Sequence, residues 1–207
     1  FFITWEIKGH YPAIFDDPAK GEEARKLFEE ANVLLSELIA KKSIKANGVI
    51  GIFPANSVGD DIEVYSDESR SKTLGKFYCL RQQSKKRGDI PNLSTADYIA
   101  PKDSSQIDYI GGFAVTAGLG ADKIEKQYEE DNDDYNSLMV KILADRLAEA
   151  FAEYLHEEVR KNLWGYSQDE NIELKDMFAE QYQGIRPAHG YPSLPDHTEK
   201  EFLFELL

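Results

Sequence analysis

The segment from Asp134 to Trp164 constrains the fold most, because it is typical of one long amphipathic helix. Acidic side chains at its start complement the helix dipole, and Gly165 ends it. At ~1.5 Å per residue this helix is about 45 Å long, so other elements must pack along it. Its apolar stripe keeps the 3.6-residue period through Tyr135, Leu138, Met139, Ile142, Leu143, Leu147, Ala150, Phe151, Tyr154, Leu155 and Val159.

Shorter patterns add further helices and several strands. Helical spacing predicts helices over residues 18–41, 121–130 and 171–183 and a last helix from about Thr198. Apolar runs and alternation predict strands over 1–7, 49–53, 62–65, 77–83 and 107–118, with a strand or short crossover at 95–101. We therefore predict an α+β fold, in which a twisted, mainly antiparallel sheet is packed by long amphipathic helices.

Turn and cap signals set the expected boundaries of these elements. Asp16 or Asp17 with Pro18 predicts the start of the first helix, and Thr198 with Glu201 predicts a capping box on the last. Asn47-Gly48 predicts a turn, and residues 54–61 predict the loop of a β-hairpin.

Composition excludes several classes of protein. The chain has 207 residues, 42% of them hydrophobic, with 11 Tyr, 11 Phe and 2 Trp, which indicates a folded globule. A net charge of -14 argues against nucleic acid or anionic lipid as a partner. No apolar run is long enough to cross a membrane, and no signal peptide is visible. Cys79 is the lone cysteine, which rules out an internal disulfide and suits a reducing cytoplasm.

Acidic and histidine side chains on the long helix leave several interpretations open. Asp145 and Glu149 are four residues apart, so both carboxylates lie on one face, together with Glu153 and His156. Such a set suits acid/base chemistry, a metal site or a solvated charged face. No second Glu-x-x-His pair, glycine-rich phosphate loop or Ser/Cys–His signature accompanies it, and we expect no metal site in this chain.

The stretch from Arg186 to His197 is the strongest candidate for a binding loop, and we call it the proline loop. Three prolines exclude a helix or central strand there and make the loop stiff. Arg186 offers a charged fork for a carboxylate, Tyr191 a flat ring, and Gly190 a positive φ or a close approach. These residues suit a small molecule with a carboxylate at one end and a ring at the other; a rigid structural crossover is the alternative.

This loop also carries a resemblance to a known family. Arg-Pro-Ala-x-Gly-Tyr-Pro followed by Pro-Asp-His-Thr-Glu-Lys resembles the S-adenosylmethionine-binding signature of the activation domain of cobalamin-dependent methionine synthase. Similarity to that family extends along nearly the whole chain, including Gly-x-Phe-Pro-Ala-Asn, Leu-Arg-Gln-Gln and Ala-Asp-Arg-Leu-Ala-Glu-Ala-Phe-Ala-Glu-Tyr-Leu-His. The resemblance implies a reactivation module of a methyltransferase of methionine biosynthesis, which would bind its ligand without turnover.

For the ligand site, the resemblance implies that Arg186 grips the methionine carboxylate of S-adenosylmethionine. The backbone around Ala188 and Gly190, with Tyr191, would hold the rest, and no residue of the chain would be catalytic. His189 stands where many relatives have Pro, so ligand affinity is expected to become pH-sensitive if its imidazole touches the ligand.

For partners, the resemblance implies that cobalamin is held by a neighbouring domain outside this chain. Asp145 and Glu149 would meet that domain and engage the histidine that leaves cobalt. Flavodoxin or a flavoprotein reductase would supply the electron for reductive methylation of cob(II)alamin. Residues 1–207 are expected to form a single activation domain, truncated at both ends, because the family has an acidic ligand residue upstream and a tyrosine downstream.

Two other functions remain as alternatives. One is a non-catalytic interaction domain whose proline loop docks a protein and binds no S-adenosylmethionine. The other is a stand-alone methyltransferase, although the glycine-rich strand-to-helix loop of the common type is missing.

Overall fold

The computed structural model describes residues 1–207 and divides the chain into two compact units. The first unit comprises Phe1–Gly48 with Val115–Leu155, and the second comprises Val49–Ala114 with His156–Leu207. None of the helices is both long enough and apolar enough to span a bilayer.

The first unit contains the helices α1 (Gly21–Lys41) and α2 (Ala121–Glu130) and most of α3 (Asp134–Glu158), whose residues from His156 on belong to the second unit. The bounds of α2 agree with the prediction. α3 ends at Glu158 and continues as one π-helical turn over Val159–Leu163, so that the helical segment ends close to the predicted end of the long helix. The helices bury one core, formed by Phe2, Ile7, Ile14, Ala24, Leu27, Ala31, Leu34, Leu38, Ala121, Met139, Val140 and Leu143.

The first helix starts three residues later than predicted. Asp17 does not cap α1, because its Oδ1 accepts the N–H groups of Ala19 and Lys20 at 2.8 and 3.1 Å and closes a turn before the helix. The predicted apolar stripe of α1 faces the core: Ala24, Leu27, Ala31, Leu34 and Leu38 are buried, and Phe28 and Leu35 are partly buried. Ile39 near its end is 67% exposed.

Four strands form a sheet in the order β3-β2-β1-β4: β1 (Lys45–Val58), β2 (Asp61–Tyr65), β3 (Thr73–Phe77) and β4 (Asp108–Leu119). β1 pairs with β2 antiparallel, Ala55 opposite Val64, and β2 pairs with β3 antiparallel. The α+β prediction is therefore confirmed. The core of the second unit consists of Ala55, Ile62, Val64, Phe77, Cys79, Ala96 and Leu194.

Two predictions near the start of the chain are wrong. Residues 1–7 contain a 3-10 turn, Phe2–Trp5, instead of a strand, because Phe2 turns inward and packs edge-on against Phe15. Asn47-Gly48 is not a turn; β1 runs through it and through most of the predicted loop, so that only Gly59-Asp60 separate β1 from β2. The hairpin itself is confirmed.

Boundaries in the second unit also differ from expectation. The strand predicted at 77–83 is wrong: β3 covers Thr73–Phe77, shares only Phe77 with the prediction, and residues 78–83 are not in a strand. Residues 95–101 begin with a 3-10 turn, Thr95–Tyr98. Of the helix predicted over 171–183, only α4 (Leu174–Phe178) is helical in the structure. The last helix is α5 (Lys200–Leu206); Thr198 does not cap it, because the Thr198 N–H and hydroxyl both donate to Asp196 Oδ1 at 2.8 Å.

Cys79 follows the end of β3 and is 1% exposed. Burial, together with the charges of Glu199, Asp61 and Asp60, raises the pKa of its thiol to about 12. The thiol is therefore protonated at neutral pH and unsuited to nucleophilic chemistry.

Asn56 ties β1 to two distant segments of the second unit. The side chain is fully buried; its Nδ2 donates to the carbonyls of Ala100 and Gln106 at 3.0 and 2.9 Å. Its Oδ1 accepts a 2.8 Å hydrogen bond from Arg70 Nη1. The buried Asn56 amide thus has hydrogen-bond partners for both its nitrogen and its oxygen.

We predict that Asn56→Ala lowers the free energy of unfolding by roughly 2–4 kcal/mol, because three hydrogen bonds of a fully buried side chain are lost. Urea unfolding measures the change. Asn32→Ala is the matched control: the Asn32 side chain also donates to a backbone carbonyl, that of Phe28, but on the exposed surface of α1. Equal losses for the two variants would contradict the role given to Asn56.

Candidate functional site

The proline loop (residues 186–197) has no helix and only one isolated bridge, between Tyr191 and Leu194, as its prolines predict. Its shape comes from its own backbone. Gly190 N–H donates to Leu194 O at 2.8 Å, Tyr191 N–H to Ala188 O at 3.0 Å, and Leu194 N–H to Tyr191 O at 2.9 Å. These bonds fold residues 188–194 into a compact turn.

A 3-10 turn elsewhere in the second unit anchors this loop. The carbonyl of Ser193 accepts two hydrogen bonds from Thr95, one from its N–H at 3.1 Å and one from its hydroxyl at 2.9 Å. Ser94 and Asp97 form a capping box on the turn that begins at Thr95. Leu194 enters the core of the second unit, so the loop is fixed at both a polar and an apolar point.

Gly190 is required by its conformation and by its neighbour. Its φ is +101°, and a Cβ built at this position would lie 2.4 Å from Cε1 and 2.5 Å from Nε2 of His197. No other residue fits unless the His197 ring moves. The predicted positive φ is therefore observed, and His197 is the group that approaches closely.

The predicted ligand residues Arg186, Ala188, Gly190 and Tyr191 lie together on the proline loop in the second unit. Arg186 is half-buried, with its Nε shielded from solvent, while Tyr191 is 57% exposed. The loop therefore offers a charged fork that is partly withdrawn from water and an accessible aromatic face.

Asp145 and Glu149 lie on α3 in the first unit, where their side chains are 67% and 70% exposed. Arg146 lies beside both: its Nη2 bonds Asp145 and its Nη1 bonds Glu149 at 3.1 Å. The hydrogen bond to Asp145 is the largest cause of a raised pKa of the Arg146 guanidinium. The two acids are thus a solvated pair bridged by one arginine.

A buried ionic cluster, which sequence reasoning missed, lies in the second unit; we call Arg160, Glu170, His156 and Tyr182 the Arg160 cluster. Arg160 is 1% exposed and forms a two-pronged ion pair with Glu170, with Nε–Oε2 at 2.8 Å and Nη2–Oε1 at 2.6 Å. Arg160 Nη1 lies 2.7 Å from Nδ1 of His156. The guanidinium carbon lies 4.3 Å from the ring centre of Tyr182.

His156 is neutral in this setting. Burial, followed by the charges of Arg160 and Arg186, lowers the pKa of its imidazole to about 4, and only Glu170 opposes the shift. Because an arginine can only donate, Nδ1 accepts and the ring proton lies on Nε2. Of the interpretations left open for this face, a solvated charged surface does not describe His156, which is 5% exposed and pairs with Arg160 one helical turn later.

The His156–Arg160 spacing of four residues was the one local signal for this cluster. Glu170 lies ten residues beyond Arg160, after the helix has ended, and no periodicity connects the two. No group of three or more His, Cys, Asp or Glu side chains could hold a metal ion.

His189 lies inside the proline loop with its Nε2 buried and without a hydrogen-bond partner. Burial is the main cause of a lowered pKa of this imidazole; Lys200 and His197 add to the shift, and Asp196 opposes it. Its ring centre lies 6.5 Å from that of Phe77.

Comparison with known proteins bears on the whole chain. Residues 1–207 match the family described as vitamin B12-dependent methionine synthase, activation domain. The fold is also similar to a crystal structure of the MetH reactivation domain bound to AdoHcy (S-adenosylhomocysteine), with 54% sequence identity and a TM-score of 0.93. That similarity covers 100% of this chain, which spans 63% of the other.

We predict that Gly190→Ala destabilises the protein more than Gly59→Ala does. Both glycines have positive φ, +101° and +64°, but nothing lies within 4 Å of a Cβ at Gly59. The strained φ alone costs about 1–2 kcal/mol, and the overlap with His197 adds to it only at Gly190. Urea unfolding of both variants tests this; equal losses would show that His197 moves aside freely.

We also predict that His156 makes stability fall between pH 7 and pH 5. In this range the unfolded chain protonates His156 near its reference pKa of 6.5, whereas the folded chain resists until about pH 4. The unfolded state therefore binds more protons, and by pH 5 the free energy of unfolding drops by roughly 2 kcal/mol from this group.

The measurement is urea unfolding of wild type and His156→Gln at both pH values. The variant keeps His189, whose lowered pKa is present in both proteins. Wild type should lose more stability than the variant. A variant that loses as much would show that His156 does not carry the effect.

Proposed function

The chain belongs to the activation-domain family of vitamin B12-dependent methionine synthase, and we propose that it binds S-adenosylmethionine at the proline loop for reactivation of the cobalamin enzyme. The observation that carries this proposal is the 54% identity, over the full length of this chain, to a domain whose crystal structure holds AdoHcy. AdoHcy is S-adenosylmethionine without its transferable methyl group. The family forms part of an enzyme; the isolated domain would bind ligand without turnover.

Arg186 is the proposed partner of the ligand's carboxylate. Its guanidinium is half-buried, and a charged hydrogen bond is stronger where water is partly excluded. Tyr191, which is 57% exposed, would cover an apolar part of the ligand. Gly190 N–H already donates to Leu194 within the loop, so we propose that Gly190 and Ala188 contribute through loop shape and carbonyl oxygens.

The wider reaction is proposed for the whole protein, of which this chain forms part. When bound, S-adenosylmethionine supplies the methyl group for reductive methylation of cob(II)alamin on a neighbouring domain. Flavodoxin or a flavoprotein reductase is the proposed electron donor. The chain's own tasks are to hold the ligand and to orient it, and a net charge of -14 is compatible with a positive sulfonium nearby.

Asp145 and Glu149 are the proposed docking point for the cobalamin-binding domain. Both carboxylates are exposed and can accept a hydrogen bond from an imidazole N–H, as expected for a histidine displaced from cobalt. Arg146 already bonds both carboxylates and would share them with the incoming group.

We predict that Arg186→Ala weakens binding of AdoHcy and of S-adenosylmethionine at least roughly tenfold, the result of losing a charged contact worth roughly 1.5–3 kcal/mol. Calorimetric titration of the chain measures the affinity. Arg87→Ala, which removes an exposed arginine outside the proline loop, is the control and should bind as wild type does.

Equal binding by wild type and Arg186→Ala would show that the carboxylate lies elsewhere. If neither ligand binds to this chain or to a chain extended at both ends, the interaction-domain alternative gains. Methyl transfer to a small acceptor by the isolated chain would instead favour the stand-alone methyltransferase.

A further inference from the structure

Burying the charged groups of the Arg160 cluster costs desolvation free energy, so packing alone does not explain why they are there. Replacing a buried ion pair by apolar side chains is often neutral or stabilising, so a gain in stability alone does not account for such a pair. Arg160 and Glu170 are both nearly inaccessible, with side chains 1% and 8% exposed. Arg160 also lies in the π-helical turn Val159–Leu163, a distortion that is frequent at functional sites.

Tyr182 links this cluster to the segment that leads into the proline loop. Its ring lies on Arg160, 4.3 Å from the guanidinium carbon, and its ring centre is 4.9 Å from that of His156 in an edge-on arrangement. Tyr182 precedes Arg186 by four residues. A ring clamped between a cation and an imidazole fixes the backbone that carries it.

The residues after Tyr182 are held as well. Ser167 Oγ donates to Gln183 Oε1 at 3.1 Å, and Tyr166 OH donates to Gln183 O at 3.4 Å. Gly184 has a φ of +87°, and a Cβ there would lie 3.1 Å from the Tyr166 hydroxyl. The chain therefore reaches Arg186 from a segment that is held at Tyr182 and Gln183, with room at Gly184 only for glycine.

Arg186 itself lies within electrostatic reach of the cluster. Its charge is among the causes of the lowered pKa of His156, after burial and the charge of Arg160. Because His156 is neutral and bonded to Arg160, it places no second positive charge within that reach.

We propose that the Arg160 cluster positions Arg186 for the carboxylate of the adenosyl ligand, with Tyr182 as the residue that transmits the constraint. The inference rests on the proposed function and adds positioning residues to it. Tyr182 acts through Arg186 and need not touch the ligand. A guanidinium must be held within about 0.5 Å for a good two-pronged contact, so a loosened Tyr182 lowers affinity.

Tyr182→Leu is the decisive variant, because it removes the ring and leaves the buried Arg160–Glu170 pair intact. We predict roughly fivefold weaker binding of AdoHcy by calorimetric titration, as for residues coupled in one network. In an Arg186→Ala background the same substitution should change affinity by less than about twofold, since the residue through which it acts is gone.

Three further binding measurements distinguish a role of Tyr182 in positioning Arg186 from a general destabilisation of the protein. 5′-Methylthioadenosine has the adenosine and sulfur but no carboxylate, so Tyr182→Leu should bind it as wild type does. Tyr182→Phe keeps the ring and should restore the affinity for AdoHcy. Tyr11→Leu removes a tyrosine that is 63% exposed in the first unit and should have no effect.

The outcomes are distinct. If wild type binds no AdoHcy, the proposed function fails, and this inference fails with it. If wild type binds and Arg186→Ala weakens binding, but Tyr182→Leu does not, only the positioning role is overturned. A loss that persists in the Arg186→Ala background or extends to 5′-methylthioadenosine would also overturn it, because Tyr182 would then act on the ligand directly or on the whole fold.

Discussion

A permanently charged guanidinium that is 1% exposed must have partners, and Arg160 dictates the arrangement of its surroundings in the second unit. Glu170 neutralises it with two prongs, His156 accepts from it, and Tyr182 covers its face. These partners come from a helix, the turn after it and the approach to the proline loop. One buried charge therefore fixes the relative places of three segments that share no regular structure, which apolar contacts alone would fix less uniquely.

The proline loop shows a second way to hold an irregular segment. Its prolines remove donors, yet its shape is defined, because Ser193 O accepts twice from Thr95 and Leu194 enters the core. A ligand that docks on such a loop loses little entropy in ordering it. Rigidity here comes from a few long-range polar contacts, so the loop can present Tyr191 to solvent without becoming flexible.

Periodic patterns predicted the long elements of the fold well. α2 and α3 match expectation because apolar side chains at helical spacing form one face that can be buried. β4 matches because its long apolar run indicated a strand. Failures occur where distant contacts decide. Phe2 turns inward against Phe15, Asn47-Gly48 is absorbed into β1, and α4 is shorter than its apolar spacing indicated. Arg186, Gly190 and Tyr191 were indicated by their own chemistry as well as by the resemblance, and Ala188 by the resemblance alone. Glu170 is joined to Arg160 only by tertiary folding, which no local pattern encodes.

The burial of Cys79 has a practical consequence. A thiol that is 1% exposed, with its pKa raised to about 12, is nearly inert toward maleimides and other thiolate-directed reagents. Because Cys79 is the lone cysteine, the chain without any mutation should react very little with thiol-directed labels. A single cysteine introduced on the exposed surface would carry a fluorophore or spin label almost exclusively, so motions of the proline loop could be followed by spectroscopy without first removing a native thiol.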